Sequence, residues 1–243
     1  MRALYLKLFC GLLATFFTAH VFSQEKKGED FRILITKNSA ALGITPAEAA
    51  QAVITSGYTD ERTGISHVYI QQSYLDIRVY NAIISVAFKN GSFLHAAGSF
   101  VKNMAGKAGT PVPVKTPADA VQSASRHLEL KETDKLSIVK DGFASEKKYT
   151  LAAPEIARRD VDVTLYWQPS EDKSQVALAW NVNIDVLGRV DWWNVRIDAR
   201  TGAYLTKDNW TVEEKTHAPE TADAALEMMN TTFSQEQSEV NGT

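Results

Sequence analysis

The chain has 243 residues, 44% of them hydrophobic and 23% charged, with a net charge of −3. That is globular composition, enough for one large or two small domains, and it lacks the basic footprint of a nucleic-acid binder. Five unclustered His and a single Cys exclude a His/Cys metal tract and a disulfide framework.

Residues 1–23 read as a secretory signal peptide. Arg2 and Lys7 form a positive start, Leu8 to Phe17 an apolar run, and Val21-Phe22-Ser23 a cleavage site before Gln24. The apolar run falls short of the ~20 residues of a stable membrane span. Cleavage near Ser23-Gln24 removes Cys10 and leaves 24 basic against 29 acidic residues, a net −5. The exported protein is then secreted, extracellular or periplasmic, and free of thiol chemistry.

Gln24 to Asp30 is a polar leader, and Phe31 to Ala41 brings mixed apolar residues. Thr45-Pro46-Ala47-Glu48 opens a helix with a capping box and Pro in the first turn. Ala49, Ala50, Val53 and Ile54 form its apolar face, and Gly57 is expected to stop it. From His67 to Val101 the pattern changes to period two. Val68, Ile70 and Gln72 alternate with Tyr69, Gln71 and Ser73, and Ile84, Val86 and Phe88 with Ser85, Ala87 and Lys89. This predicts a half-buried antiparallel sheet, with Asn90-Gly91 as a tight type I′ hairpin.

Gly106, Gly109, Pro111 and Pro113 mark 105–115 as a linker. Thr116-Pro117-Ala118-Asp119 then opens a second helix, with Ala120, Val121, Ala124 and Leu128 on one face. TPADAVQSA echoes TPAEAAQAV; internal repeat and coincidence fit this short likeness equally well. A second sheet follows: Val161 to Trp167, Val176 to Val186 and Trp193 to Ala199 alternate strictly, and Ala203 to Leu205 adds a further strand. The fold class is α+β: two small units, each a helix packed on an antiparallel sheet. Residues 213–243 form a polar tail, with one short helix at Ala222 to Asn230.

The first sheet carries Val68-Tyr69, Gln71-Gln72, Tyr74, Ile77, Val79, Asn81-Ala82, Ile84, Val86, Gly91 and Gly98-Ser99-Phe100 in order. In this it resembles the fungalysin/thermolysin propeptide (FTP) domain that precedes the catalytic domain of secreted zinc proteases. Leu165, Pro169, Leu178-Ala179-Trp180, Trp193, Asp198-Ala199, Thr201-Gly202, Asp208 and Trp210 are similar to the second half of such propeptides, a PepSY-like, cystatin-like domain. The resemblance implies an FTP-like domain at 31–104, a linker at 105–115, a PepSY-like domain at 116–212, and a tail at 213–243 where a cleavage region and protease would follow.

A zinc protease of this type needs the H-E-x-x-H pattern, and the sequence has none. His127 has no partner, and His67 and His95 could meet across the sheet but lack a third ligand. No G-x-S-x-G elbow is present. Glu171-Asp172 and Glu213-Glu214 read as solvated turns rather than paired acid/base groups. No catalytic, cofactor or metal residue is therefore assigned. The one candidate partner contact is Trp192. Trp193 shares its parity with Val195 and Ile197 and is expected in the core; Trp192 shares its parity with Asn194, Arg196 and Asp198. An exposed Trp192 would anchor a partner; alternatively it packs under the C-terminal segment.

The resemblance implies a propeptide-like inhibitor and folding chaperone of a fungalysin-type metalloprotease catalytic domain, in cis as part of a zymogen or in trans. The alternative is a free-standing extracellular or periplasmic module that binds peptides or proteins. N-terminal sequencing of secreted material should give a mature chain starting near Gln24; a retained Cys10 carrying lipid would contradict that.

Overall fold

Two threonines start helices by the same device. Thr45 accepts from the Glu48 N–H at 3.1 Å, and the Glu48 carboxylate accepts from the Thr45 N–H at 2.8 Å. Thr116 and Asp119 repeat the arrangement at 3.1 and 2.8 Å. Each box satisfies two of the backbone N–H groups that a helix start leaves free. A computed structural model describes residues 30–131, 133, 135–141 and 147–211. The leader with its Ser23-Gln24 site, Cys10 and the tail from 212 onward lie outside the described residues.

The helices are α1 (residues 30–37), α2 (Pro46–Gln51), α3 (Met104–Lys107) and α4 (Pro117–His127). The strands are β1 (Val53–Asp60), β2 (Ile65–Tyr74), β3 (Ile77–Lys89), β4 (Ser92–Gly98), β5 (Ser137–Asp141), β6 (Lys148–Ala152), β7 (Val161–Pro169), β8 (Val176–Asp185), β9 (Trp192–Asp198) and β10 (Tyr204–Asn209). The protein is thus α+β, with few helices on a curled, mostly antiparallel sheet. Its main path runs β1-β2-β3-β7-β8-β9-β10, with β4 beside β3 and β5 and β6 branching beside β7.

The first expected helix is shorter than its apolar face suggested. It ends at Gln51, and Val53 and Ile54 begin β1, opposite Gln71 and Ile70 of β2. The β-branched run Val53-Ile54-Thr55 favours a pleated strand, and pairing with β2 wins over continuing the helix. Gly57 therefore does not stop a helix. It makes room on β1, where a Cβ would come within 2.6 Å of the Phe31 ring of α1. Helix α1 had no strong signal in the sequence, yet Phe31 and Ile35 are buried in the first core.

Two apolar clusters share β3. Ile84, Val86 and Phe88 join Phe31, Ile35, Val68 and Ile70 in the smaller one. Ile77, Val79 and Ala82 join the larger, in which Val121 and Ala124 of α4 pack on Leu165, Trp167, Trp180, Val182 and Ile197. The division of β3 needs a bulge. Pairing with β2 shifts between Gln71↔Ile83 and Ser73↔Arg78, and Asn81 takes a left-handed φ of 52°. Within the bulge β3 forms a single parallel bridge to β7, Val79↔Trp167, and it pairs with β2 on either side.

The bulge is held by the adjacent glutamines. Gln71 Nε2 donates to the Val79 carbonyl at 3.2 Å. Gln72, 1% exposed, donates to the Val101 carbonyl and accepts from the Val101 N–H, both at 2.8 Å. Its side-chain amide stands in for a strand partner. Gly98 fixes the return of the chain: its φ is +95°, and a Cβ there would overlap the Ile83 carbonyl oxygen.

The stretch 105–115 is tied at both ends. Helix α3 makes one turn at its start with Met104 buried, and Val114 and Lys115 both donate to the Ala199 carbonyl, at 2.9 and 2.8 Å. The described residues up to Trp210 pack as one compact body.

Gln72→Leu keeps the volume but strands two buried main-chain groups, at about 1–3 kcal/mol each. Urea unfolding should show a loss of about 2–4 kcal/mol, with Gly98→Ala at least as damaging because space and φ both oppose it. A loss below 1 kcal/mol in both would mean that the bulge is not the keystone described.

Candidate functional site: a polar face on the second sheet

Strands β7 to β10 bury one face under α4. The other face carries polar side chains in register: Asp162, Asn183, Asn194 and Asp208 in one row across four strands, and Thr164, Asn181, Arg196 and Thr206 in the next. Alternating polar residues usually mean a solvated face. Here Asn194 and Arg196 are 2% and 1% exposed. Tyr80, delivered by the β3 bulge, covers Arg196. Its ring lies 4.5 Å from the Arg196 guanidinium and meets Tyr166 edge-on at 5.7 Å.

A buried guanidinium needs a counter-charge. Asp208 supplies it at 2.9 Å, and Tyr80 also donates to the same carboxylate oxygen at 2.6 Å. Arg196 Nη1 further donates to the Asn194 carbonyl at 3.0 Å. Burial, and then the bond to Asp208, push the Tyr80 phenol up to about 12. Burial alone would raise Asp208, but the hydrogen bonds from Tyr80 and Arg196 and the guanidinium charge more than offset it and hold it below its ordinary value. Tyr80 therefore stays a neutral donor and Asp208 an anion, and the trio holds charge in place rather than moving protons.

From Arg196 the face continues as an amide ladder. Asn194 Oδ1 accepts from Asn181 at 3.3 Å and from Asn183 at 2.8 Å, and Asn183 Oδ1 accepts from Trp192 Nε1 at 2.9 Å. Trp192 closes that end. Arg159 sits 4.4 Å from its ring centroid, and Trp210 packs edge-on at 6.0 Å. At the other end a cleft of about 680 Å³ opens, lined by Tyr80, Gln168, Lys173, Arg196, Thr206 and Asp208 among others. Its rim is the turn at 170–175, where Asp172 accepts from Ser170 Oγ at 2.6 Å and from the Ser174 N–H at 3.0 Å. Those bonds bring Asp172 down to about 2.

The Trp parity needs adjustment. Trp192 is half-buried, packed by Trp210 and Arg159, and Trp193 is also half-buried, against the larger cluster and under Lys207. Strand β9 is covered on both faces, so parity does not separate core from solvent there. His67 and His95 do not meet. Both stand opposite Ala87, on β2 and β4, so they are two strand spacings or about 10 Å apart. His67 stacks on Tyr58, and His127 on Tyr204. Among the described residues no three His, Cys, Asp or Glu are grouped to hold a metal.

A family comparison matches the segment that carries the β3 bulge. Residues 50–100 match the Fungalysin/Thermolysin Propeptide Motif. The matched segment contains Gln71, Gln72, Asn81, Ala82 and Gly98, which lie at or beside the bulge that places Tyr80. It is a propeptide motif and not a catalytic domain. No curated protein matches the chain. Among solved structures the chain is similar to the C-terminal domain of YpeB from Bacillus megaterium, at 10% identity and a TM-score of 0.34. That likeness covers 72% of this chain and 63% of that one, and it is too weak to transfer topology or function. Among the described residues no helix is long and apolar enough to cross a membrane.

The sequence pointed to Trp192 and, through resemblance, Asp208. It missed Tyr80, Gln168 and Arg196 as members of a site. The signal was present in Asn181, Asn183, Asn194 and Arg196 but reads equally well as a wet face.

Asp208→Asn should cost about 2–3 kcal/mol at pH 7, below the ~3–5 of a fully buried pair because Asp208 is partly exposed. The lowered carboxylate contributes its full stability above the unfolded value near 4 and loses it as pH falls through the folded one. The difference between wild type and Asp208→Asn in urea midpoint should therefore shrink from pH 7 to pH 3; a constant difference would remove the ion pair from the account.

Proposed function

We propose that this chain is an exported, propeptide-like protein that restrains a fungalysin-type zinc metalloprotease, as inhibitor and folding chaperone. The observation that carries this reading is the propeptide match at 50–100, the segment that forms β1 to β4 and the β3 bulge. The absence of H-E-x-x-H from the whole sequence agrees with a non-catalytic role. Inhibition would come from a docked surface, in cis as the N-terminal part of a precursor or in trans. The leader at 1–23 would send the chain to the extracellular or periplasmic side, where such a protease works. In this reading 31–104 is the FTP-like part, 105–115 the connection and 116–212 the PepSY-like part.

Trp192 is the proposed contact. It is half-buried at the end of the polar face, with Trp210, 52% exposed, beside it. Adjacent, partly exposed tryptophans offer the rigid aromatic area that interface anchors use. The test is inhibition of a fungalysin-type catalytic domain by the purified chain. Wild type should inhibit, and Trp192→Ala should weaken inhibition by about tenfold, or 1.4 kcal/mol. Trp192→Ala should cost about 1–2 kcal/mol of fold stability, below the ~3–5 of a fully buried aromatic. Failure of wild type to bind any such domain removes the inhibitor role. The second reading, a free-standing module that binds peptides, is favoured by the cleft beside Arg196.

A further inference from the structure

Three polar atoms on the inner face of the second sheet are buried without a hydrogen-bond partner: Arg196 Nε, Gln168 Oε1 and Asn181 Oδ1. Their orientations are fixed by what the rest of each side chain does. Arg196 Nη1 is committed to Asp208 and the Asn194 carbonyl. Gln168 Nε2 donates to the Pro169 carbonyl at 2.7 Å, which leaves its oxygen as a free acceptor. Asn181 Nδ2 donates to Asn194, with the same consequence. A buried polar atom without a partner costs about 1–3 kcal/mol. Arg196 and Asn181 stand opposite each other in one row, and Gln168 lies two rows further along the same face; Arg196 and Gln168 line the cleft, and their unmet atoms point to a ligand that completes them.

We propose that the cleft beside Arg196 binds an extended peptide through its main-chain amide groups. The unmet needs in the cleft are one N–H donor, Arg196 Nε, and one acceptor, Gln168 Oε1, so the occupant must offer both C=O and N–H. The lining does not select for charge: Asp208 already neutralises Arg196, and Glu171 balances Lys173 at the rim. An anion would gain little over a neutral amide. An extended chain offers C=O and N–H groups along its whole length, which suits a donor on β9 and an acceptor on β7, two strands apart. The cavity, about 680 Å³, is of the size that holds a few residues. The Tyr80 ring roofs the guanidinium and its hydroxyl donates to Asp208, so a bound peptide reaches Nε by displacing the ring and supplies an N–H to Asp208 in place of the hydroxyl. Recognition through the main chain makes the site tolerant of peptide sequence. The inference stands apart from the protease reading, since any exposed extended segment would serve.

The test is a titration of the ¹⁵N-labelled full chain with a capped (Ser-Ala)₄ peptide, followed on the Arg196 Nε–Hε signal. Sodium acetate and cellotetraose are run as separate probes. The peptide should shift Arg196 Hε, the Gln168 side-chain amide and the Thr206 amide saturably, together with the Tyr80 ring signals. Ala177→Trp, which fills the cleft wall, should abolish these shifts while the remaining amide spectrum stays folded. Gln168→Leu should weaken binding several-fold. Arg196 is not substituted, because removing it would strand Asp208 and test only folding. Shifts with acetate or the sugar but not the peptide would overturn the proposal in favour of an anion or glycan site. No probe moving Arg196 Hε would overturn it outright.

Discussion

The side-chain amide of Gln72, paired with both main-chain groups of Val101 in a dry interior, is the contact on which the rest of the architecture turns. It satisfies the main chain of Val101 beside the bulge, on either side of which β3 pairs with β2. The three extra residues on β3 then form a bulge, Asn81 takes the left-handed conformation, and Tyr80 emerges on the far side. Side-chain amides can replace a strand neighbour because they carry one donor and one acceptor in a plane, as a peptide does. An ester-like or apolar substitute would leave Val101 unsatisfied.

The second sheet divides its chemistry between faces. Under α4 it is apolar and closed by Trp167 and Trp180, whose indole N–H groups donate to the Tyr74 and Lys115 carbonyls at 2.8 Å. The opposite face buries Asn194 and Arg196 and leaves Asn181, Asn183 and Asp208 half-buried. Burial of polar groups gives less stability than apolar packing but demands specific partners, so that face is ordered by geometry rather than by hydrophobic area. A surface of this kind suits recognition, where position counts for more than adhesive area.

Strand positions were largely legible in the sequence because period-two alternation is a direct readout of a one-sided sheet, as at Val176 to Val186. Asn90-Gly91 is legible for a local reason: both residues accept positive φ, and both have it, at 49° and 78°. The end of α2 was not, because Val53 and Ile54 satisfy a helical face and a strand equally, and only the pairing of β1 with β2 decides. The candidate site was hardest to see. Arg196 and Asn194 have the spacing of exposed residues, and what covers Arg196 is Tyr80, more than a hundred positions away in the chain. Parity along one strand carries no information about what another element lays on top of it.

The bond between Tyr80 and Asp208 joins residues 128 positions apart, and that between Trp167 and Tyr74 residues 93 apart. Chains dominated by such distant pairings fold slowly, since long loops must close before the contacts reward them. A ribosome or an export channel delivers Tyr80 long before Asp208. Until the last strand arrives, the bulge of β3 has no lid partner and Arg196 no counter-charge. The N-terminal sheet is thus made early but finished late, and a chain interrupted between Arg196 and Asp208 is left holding a cation that lacks this counter-charge.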